Sequence, residues 1–210
     1  MRDKYMLERL VIREETPADH YAAELAAKRA FWNLHRPGCD EHYLIHLLRD
    51  DPAYIPALSR VAELDGSIVG GIWYSEARVE GEDQITPVLT FGPLCVDPSV
   101  QKKGAGSALL AHTMSLARQA GHKAIIIYGE PDYYPRFGFR PCEVYGITTP
   151  QGRNFPAFMG AELRPGALAG VRGKFYETET FEKLPPEAVD EYDRRFPQMP
   201  KLRLPGQWNT

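Results

Sequence analysis

Val96-Asp97-Pro98-Ser99-Val100-Gln101-Lys102-Lys103-Gly104-Ala105-Gly106 is the stretch of sequence that decides the fold. The apolar run 87–96 ahead of it predicts a strand, and the amphipathic segment 104–120 after it predicts a helix that ends before Gly121. A glycine-containing turn that opens into a helix presents backbone N–H groups without intrahelical acceptors, at the positive end of the helix dipole. Such a turn can bind an anion, and Gly104 and Gly106 let the backbone approach it closely.

The turn differs from two common phosphate-binding motifs. The P-loop motif ends in Gly-Lys-Ser or Gly-Lys-Thr, which this turn lacks. The dinucleotide motif requires a third glycine at position 109, where the chain has Leu109. What remains is Gln-x-x-Gly-x-Gly after Val-x-Pro, running from Gln101 to Gly106. Because Gly-x-Gly also occurs at helix starts that bind no ligand, the interpretation depends on a second motif.

The second motif follows the β-branched run 124–128, which predicts a buried strand. It contains Tyr-x-x-x-Gly-Phe, from Tyr134 to Phe139. One helix and one strand separate the two motifs, and together they cover about positions 88 to 145. This combination resembles the GNAT superfamily of N-acetyltransferases, and in particular one bacterial branch of predicted acetyltransferases. Pro135 departs from the commonest form of the motif and predicts a short helix there.

The resemblance implies a fold and a reaction. The fold is α+β, with a mixed, mostly antiparallel sheet of six or seven strands and helices on both faces. The reaction is transfer of an acetyl group from acetyl-CoA, a cosubstrate, to the amine of a small molecule or peptide, without a metal. In the resembled family the strand that ends at Val96 splays from its neighbour, and acyl-CoA lies in the gap.

The resemblance also assigns roles to residues of this sequence. Backbone N–H groups around Cys95 and Val96 would hold the pantetheine arm and polarise the thioester carbonyl. Tyr134 would be the general acid that protonates the CoA thiolate, since a phenol with a pKa near ~10 is protonated at neutral pH. The pyrophosphate would be held by Gln101, Lys102, Lys103, Gly104, Ala105, Gly106 and Ser107.

The general base and the acceptor stay open at this point. Glu76, Asp83 and Glu130 are candidate bases. The acceptor would meet the two N-terminal helices and the loops 31–39 and 153–158, which the motifs do not cover. Two other classes of function are also open: a non-catalytic acyl-CoA-binding or sensing module on the same fold, and a structural domain without a ligand.

Other chemistry-bearing residues give weaker patterns. His42 and His46 have a spacing that can bind zinc, but the glutamate that should follow the first histidine and a third ligand are missing. Cys95 could carry an acyl group, but the sequence pairs it with no histidine or asparagine. With Cys39 and Cys142 it is expected to be a reduced thiol.

Composition excludes some partners. Lys+Arg 25 against Asp+Glu 28 gives a net charge of −3, so no bulk attraction to nucleic acid or to an anionic membrane is expected. No apolar run approaches 18 residues, and no signal-peptide core follows the first residues. The expected location is therefore the cytoplasm.

The chain as a whole predicts one GNAT-like domain over residues 1–183, followed by a C-terminal helix and Pro-rich tail over 184–210. The apolar residues of 196–210 need a surface, which would be either the chain's own domain or a second copy in a homodimer. Upstream, an Asp65-Gly66 hairpin is expected between strands 58–64 and 67–75, and a bulge at Gly92-Pro93 in strand 85–96. The remaining predicted elements are strands 7–13, 140–147 and 155–163 and helices 17–35, 41–48 and 185–195.

Overall fold

The structure is a computed structural model that describes the backbone of residues 2–208 and the side chains of residues 5–208. Its α-helices are Arg2–Arg9 (α1), His20–Phe31 (α2), Glu41–Leu48 (α3), Ala105–Gln119 (α4) and Pro186–Asp193 (α5). Its strands are Leu10–Arg13 (β1), Arg60–Leu64 (β2), Ser67–Glu80 (β3), Ile85–Val96 (β4), Ala124–Tyr128 (β5), Arg140–Pro141 (β6), Ile147–Thr148 (β7), Phe158–Glu162 (β8) and Gly173–Tyr176 (β9).

The nine strands of this described part form one sheet, with the order β1-β2-β3-β4-β5-β8-β6. β9 pairs with the end of β3 beyond β2, and β7 pairs with β9. Neighbours are antiparallel except β4 with β5 and β7 with β9. Since β6 and β7 have only two residues each, seven strands carry the sheet. The predicted mixed, mostly antiparallel α+β sheet is confirmed.

Helices cover both faces of the sheet, as expected. Alternate residues of a strand point to opposite faces, and β3 shows this directly. Its Ile72 and Tyr74 pack in one apolar cluster with Leu109 and Leu110 of α4. Its Trp73 packs in another cluster with residues of α2 and α3. The sheet therefore separates an α4 face from an α2/α3 face.

β4 and β5 are neighbours in the sheet but share almost no backbone pairing. Their ladder has one register pair, Leu89 opposite Ile125. Within residues 2–208, β4 therefore lacks a strand partner on that side from Phe91 to its end at Val96. A bulge lies in the same stretch, because the register with β3 changes from Tyr74–Phe91 to a pair involving Leu94 across Gly92-Pro93. The predicted bulge is confirmed, and it faces the gap between β4 and β5.

Local sequence rules account for several boundaries. The φ angles of Asp65 and Gly66 are 52° and 79°, as a tight hairpin turn between β2 and β3 requires. β4 and β5 begin and end at the predicted residues. Asp40 occupies the N-cap position of α3, but its side chain makes no capping hydrogen bond there.

Several predicted elements were wrong in extent, and β3 runs five residues beyond its predicted end at Ser75, to Glu80. Residues 7–9 belong to α1 rather than to the first strand, because Met6 is buried against the α4 cluster. α2 ends at Phe31, four residues early, since Asn33 takes a φ of 59°. The predicted strand 140–147 is broken into β6, a 3-10 turn and β7. Strand β9 was missed, and it is only four residues long.

The C-terminal segment packs on its own chain, which is one of the two alternatives that the sequence left open. Lys28 of α2 is fully buried, and its Nζ lies 2.6 Å from Asp193 Oδ1 of α5. Tyr21 stacks on Phe196 with ring centroids 5.0 Å apart. Farther along, the Trp208 N–H donates to the His35 carbonyl at 2.8 Å. Asn209 and Thr210 lie outside the described residues, and the homodimer and the division at 183/184 stay predictions.

Candidate active site

The turn that opens α4 has the geometry of an anion site. Lys102 and Gly104 have φ angles of 59° and 94°, which turn the chain sharply before the helix begins at Ala105. No side chain caps this helix start, so the first N–H groups of α4 have no intrahelical acceptor. A Cβ at Gly106 would lie 3.3 Å from the Tyr133 hydroxyl and 3.4 Å from a methyl carbon of Val96. The space over the turn is therefore kept open by the missing side chain.

Two of the predicted phosphate-loop side chains stabilise the turn itself. The Gln101 Nε2 donates to the Val96 carbonyl at 2.8 Å. The Lys103 Nζ donates to the Ser99 carbonyl at 2.9 Å. Lys102 is exposed. The turn can therefore bind an anion through its backbone N–H groups and a nearby positive charge, while Gln101 stabilises the conformation of the turn.

Tyr133 joins the second motif to this turn, which the sequence analysis missed. Its hydroxyl lies 3.3 Å from Ser107 Oγ on the first turn of α4. The Arg136 guanidinium stacks on its ring at 4.3 Å and donates from Nε to its carbonyl at 2.8 Å. The adjacent tyrosines of the motif could have signalled this, because in the short 3-10 helix they point in different directions.

Tyr134 lies in the gap between β4 and β5, on the α4 face. Its ring packs against Phe91, which precedes the bulge, and against Phe139, with centroids 5.9 and 5.5 Å away. A Cβ at Gly129 would overlap this ring, so glycine is what lets Tyr134 lie across the end of β5. Burial holds the pKa of Tyr134 above its usual range. Its hydroxyl makes no hydrogen bond to another described residue and is a protonated donor at neutral pH.

Cys95 and Val96 lie at the end of β4, beside the open edge. The Cys95 side chain is 2% exposed and packs with Trp73 on the α2/α3 face. Burial raises the pKa of this thiol to about 12, so it stays protonated at neutral pH. This argues against the acyl-carrying nucleophile and leaves the backbone of this stretch as the part that can bind a ligand.

Glu177 is a titratable residue at the gap that the sequence analysis did not single out. It follows β9, is half-buried, and lies near enough to Thr90 on β4 for that hydroxyl to act on the pKa of its carboxyl. Burial and the charge of Glu182 raise its pKa to about 7, and the Thr90 hydroxyl opposes them. Thr90 alternates with Phe91, so Glu177 lies on the face opposite Tyr134. No motif marks this carboxylate, since β9 itself was not predicted.

The three carboxylates considered as bases are all exposed: Glu76 on β3, Asp83 in the β3–β4 turn and Glu130 after β5. Of these, Glu130 lies close enough to Tyr134 for its charge to act on the pKa of that phenol. The structure thus favours Glu177 by position, because it contacts β4 one residue before Phe91.

Cys39, His42 and Asp193 are buried next to one another, in the order thiol, imidazole and carboxylate that a nucleophilic triad has. Cys39 Sγ lies 3.6 Å from His42 Nδ1, and His42 Nε2 lies 3.3 Å from Asp193 Oδ1. Burial lowers the pKa of His42 to about 4 and raises that of Cys39 far above its usual range. Asp193 already pairs with Lys28. The group is therefore neutral at its thiol and imidazole, and it serves to hold α5 against α2 and α3 rather than to attack a carbonyl.

The side chains of His42 and His46, whose spacing in sequence could bind zinc, do not point toward a common site. His42 faces Asp193, whereas His46 stacks on Tyr192 at 4.6 Å. Among the residues that the structure describes, no three His, Cys, Asp or Glu side chains are arranged to hold a metal ion. None of the helices in 2–208 combines the length and apolar character needed to cross a bilayer.

A sequence profile described as "Acetyltransferase (GNAT) domain" matches residues 56–141, the region from β2 through both motifs to β6. Residues 56–141 therefore form a GNAT acetyltransferase domain. The chain's relatives include two uncharacterized N-acetyltransferases of Escherichia coli (strain K12). It is 34% identical to YjhQ over 99 residues, which are 47% of this chain and 55% of YjhQ. It is 26% identical to YhbS over 175 residues, which are 83% of this chain and all of YhbS.

Solved GNAT structures share the fold. The crystal structure of E. coli YhbS in complex with CoA has a TM-score of 0.73 and 28% identity, covering 84% of this chain and 94% of that one. A GNAT acetyltransferase from Brucella melitensis in complex with acetyl-CoA has a TM-score of 0.65 and 25% identity, covering 82% and 97%. These similarities extend beyond the 56–141 match to most of the chain.

Proposed function

We propose that this GNAT protein transfers an acetyl group from acetyl-CoA to the amine of a small molecule or peptide, by direct attack of the amine on the thioester. The observation that carries the proposal is the turn before α4, where uncapped N–H groups and the space over Gly106 lie beside the open edge of β4. The relatives from E. coli and B. melitensis that were crystallised with CoA and acetyl-CoA support it.

The chain's own residues fit a CoA molecule along this route. The N–H groups of Ala105, Gly106 and Ser107, with the charge of Lys102, would bind the pyrophosphate. The backbone N–H groups around Cys95 and Val96, at the edge of β4 that lacks a strand partner, would bind the pantetheine arm, since the Val96 carbonyl already accepts from Gln101. Acetyl-CoA supplies the acetyl group as a thioester when it is bound.

Two side chains on opposite sides of the gap would move the protons. Tyr134, on the α4 face, donates its phenolic proton to the departing thiolate sulfur. Glu177, on the opposite face, takes the proton that the attacking amine must lose, directly or through water. A base with a pKa of about 7 is matched to work near neutral pH. An acid and a base placed across the gap support catalysis over a sensing module.

The same proposal places the reaction in the cytoplasm. Cys39, Cys95 and Cys142 are all free and buried, and such thiols persist in a reducing compartment.

The experiment is calorimetric titration of CoA into wild-type and Gly106→Trp protein. An indole at position 106 would fill the space over the turn and collide with Tyr133, so affinity is expected to fall at least about 100-fold. Ala111→Trp is the matched control, because Ala111 is exposed on the same helix. Equal CoA affinity in folded Gly106→Trp and Ala111→Trp proteins would remove the proposal.

A further inference from the structure

A cavity of about 250 Å³ lies between the end of α2, the start of α3 and the C-terminal segment. Aromatic rings form much of its wall: Phe31, His35, Phe181 and Trp208. His35 and Trp208 stack with centroids 4.4 Å apart and planes 11° from parallel. Burial lowers the pKa of His35, so its ring is neutral at pH 7 and adds no positive charge to the wall.

The cavity adjoins the place where the acetyl group would lie. Phe181 lines the cavity and also touches the β4 bulge, since a Cβ at Gly92 would lie 2.9 Å from its ring. The charge of Glu130, in the loop after β5, acts on His35. The cavity thus lies next to the β4 bulge on the α2/α3 face of the sheet, opposite Tyr134.

Glu41 gives the cavity its charge. It is half-buried in the wall, and the Asp40 N–H donates to its Oε2 at 3.1 Å. No lysine, arginine or histidine nitrogen of the described side chains lies within salt-bridge distance of it. The neighbouring Arg36 is paired with Asp40 instead. Arg36 also lines the cavity, and its charge lowers the pKa of Glu41, but burial raises that pKa more. The wall therefore holds one carboxylate without a salt-bridge partner. A partly desolvated carboxylate favours a cationic partner that can donate hydrogen bonds.

The aromatic walls and the volume of the cavity limit the chemistry and the size of the rest of the ligand. Aromatic faces attract an ammonium group or an aromatic ring. The cavity is smaller than the roughly 300 Å³ at which drug-sized sites begin, so a folded peptide or a large sugar does not fit inside.

We propose that this cavity is the acceptor site, and that its acceptor is a small primary amine with an apolar or aromatic body, whose ammonium group Glu41 holds. The inference rests on the proposed acetyl transfer. The bound ammonium first loses one proton to Glu177 or to water. Its nitrogen then forms the bond to the acetyl carbon while the carbon–sulfur bond breaks, and Tyr134 protonates the sulfur. The nitrogen loses its second proton through water to the Tyr134 phenolate, which restores the phenol.

The first test is an acceptor comparison with the full chain and acetyl-CoA, measuring CoA thiol release and the acetylated product by mass spectrometry. We expect 2-phenylethylamine to have a kcat/KM at least about 10-fold above that of phenylalanine, whose added carboxylate would be repelled by Glu41. Equal use of both, or a preference for phenylalanine or for a peptide N-terminus, would overturn the assignment.

The second test is a set of variants. Glu41→Gln should raise the KM for 2-phenylethylamine by about 10- to 100-fold, since a charge-assisted hydrogen bond is lost, and leave CoA affinity unchanged. Glu187→Gln, an exposed carboxylate on α5, is the matched control and should match wild type. Trp208→Ala, at the exposed end of the described chain, should raise the KM for 2-phenylethylamine more than that for ethylamine.

The two proposals fail differently. If CoA binds but Glu41→Gln has the wild-type KM, or Trp208→Ala affects both amines equally, the acceptor site is wrong while the transferase stands. If CoA does not bind at the α4 turn, the transferase proposal falls first. Calorimetric binding of 2-phenylethylamine alone, lost in Glu41→Gln, would still support the cavity as an amine site.

Discussion

The turn that opens α4 and the cavity beside α3 are built in different ways. The turn is held by local contacts, with side chains that bond carbonyls four or five residues away. The cavity is held by contacts of long range: Trp32 Nε1 donates to the Pro200 carbonyl across 168 residues, and Lys28 Nζ donates to the Pro197 carbonyl across 169. The turn, which is the cosubstrate half of the proposed active site, is encoded in one short stretch of sequence. The cavity, which is the acceptor half, is formed by residues near the start and near the end of the sequence.

The two halves also differ in charge. The turn uses backbone N–H groups and a surface lysine, and it needs no buried ion pair. Among α2, α3 and α5, by contrast, the ion pairs are deeply buried: Lys28 with Asp193, and Arg49 with Glu15 and Glu24. The Lys28–Asp193 pair fixes the position of α5 on α2, because a displaced partner would leave a charge without a counter-ion in the interior.

The largest expected effect tests whether the acceptor half depends on this ion pair. Asp193→Ala leaves Lys28 buried without its carboxylate and should lower the free energy of unfolding by about 3–5 kcal/mol. Urea unfolding measures it. Asp190→Ala breaks only the exposed pair with Lys201 and should change little. If the two variants unfold at the same urea concentration, the buried ion pair does not stabilise the acceptor half.

The next effect concerns the gap that the two halves share. Tyr134→Phe removes only a hydroxyl, so the ring should keep its packing against Phe91 and Phe139. Turnover with saturating amine is expected to fall by roughly 10- to 1000-fold, with CoA affinity nearly unchanged. Tyr145→Phe, in the 3-10 turn between β6 and β7, is a control for the loss of a phenol. Wild-type turnover in Tyr134→Phe would mean that water protonates the thiolate.

The smallest effect is a change in pH dependence. Glu177 must be ionised to accept a proton, so wild-type kcat/KM should fall as the pH drops below the pKa of about 7. Glu177→Gln should lose this acidic limb and about 10-fold in rate at pH 8, since solvent takes over part of the proton transfer. Glu182 and Tyr128 also face this carboxylate, and both remain in the variant. An unchanged acidic limb would assign it to another group.

The sequence was most informative where structure is local. Asp65-Gly66, the Gly92-Pro93 bulge and the turn around Gly104 follow from backbone conformations that few residues adopt, and all were predicted. Glu41 and Glu177 were not singled out, because their importance comes from burial and from neighbours distant in sequence. Trp208 was predicted to need a surface, but the sequence could not show that this surface is His35 and the wall of a cavity.

The single register pair between Leu89 and Ile125 has a thermodynamic consequence for the whole sheet. A sheet that opens beyond one pair leaves backbone donors and acceptors that water must satisfy, and a ligand lying between the strands can take the place of the missing strand. Binding there adds to the stability of the folded state by mass action, about 2.7 kcal/mol when the ligand is present at 100 times its Kd. The melting temperature of this protein should therefore rise with the fraction of molecules that have a ligand bound between β4 and β5.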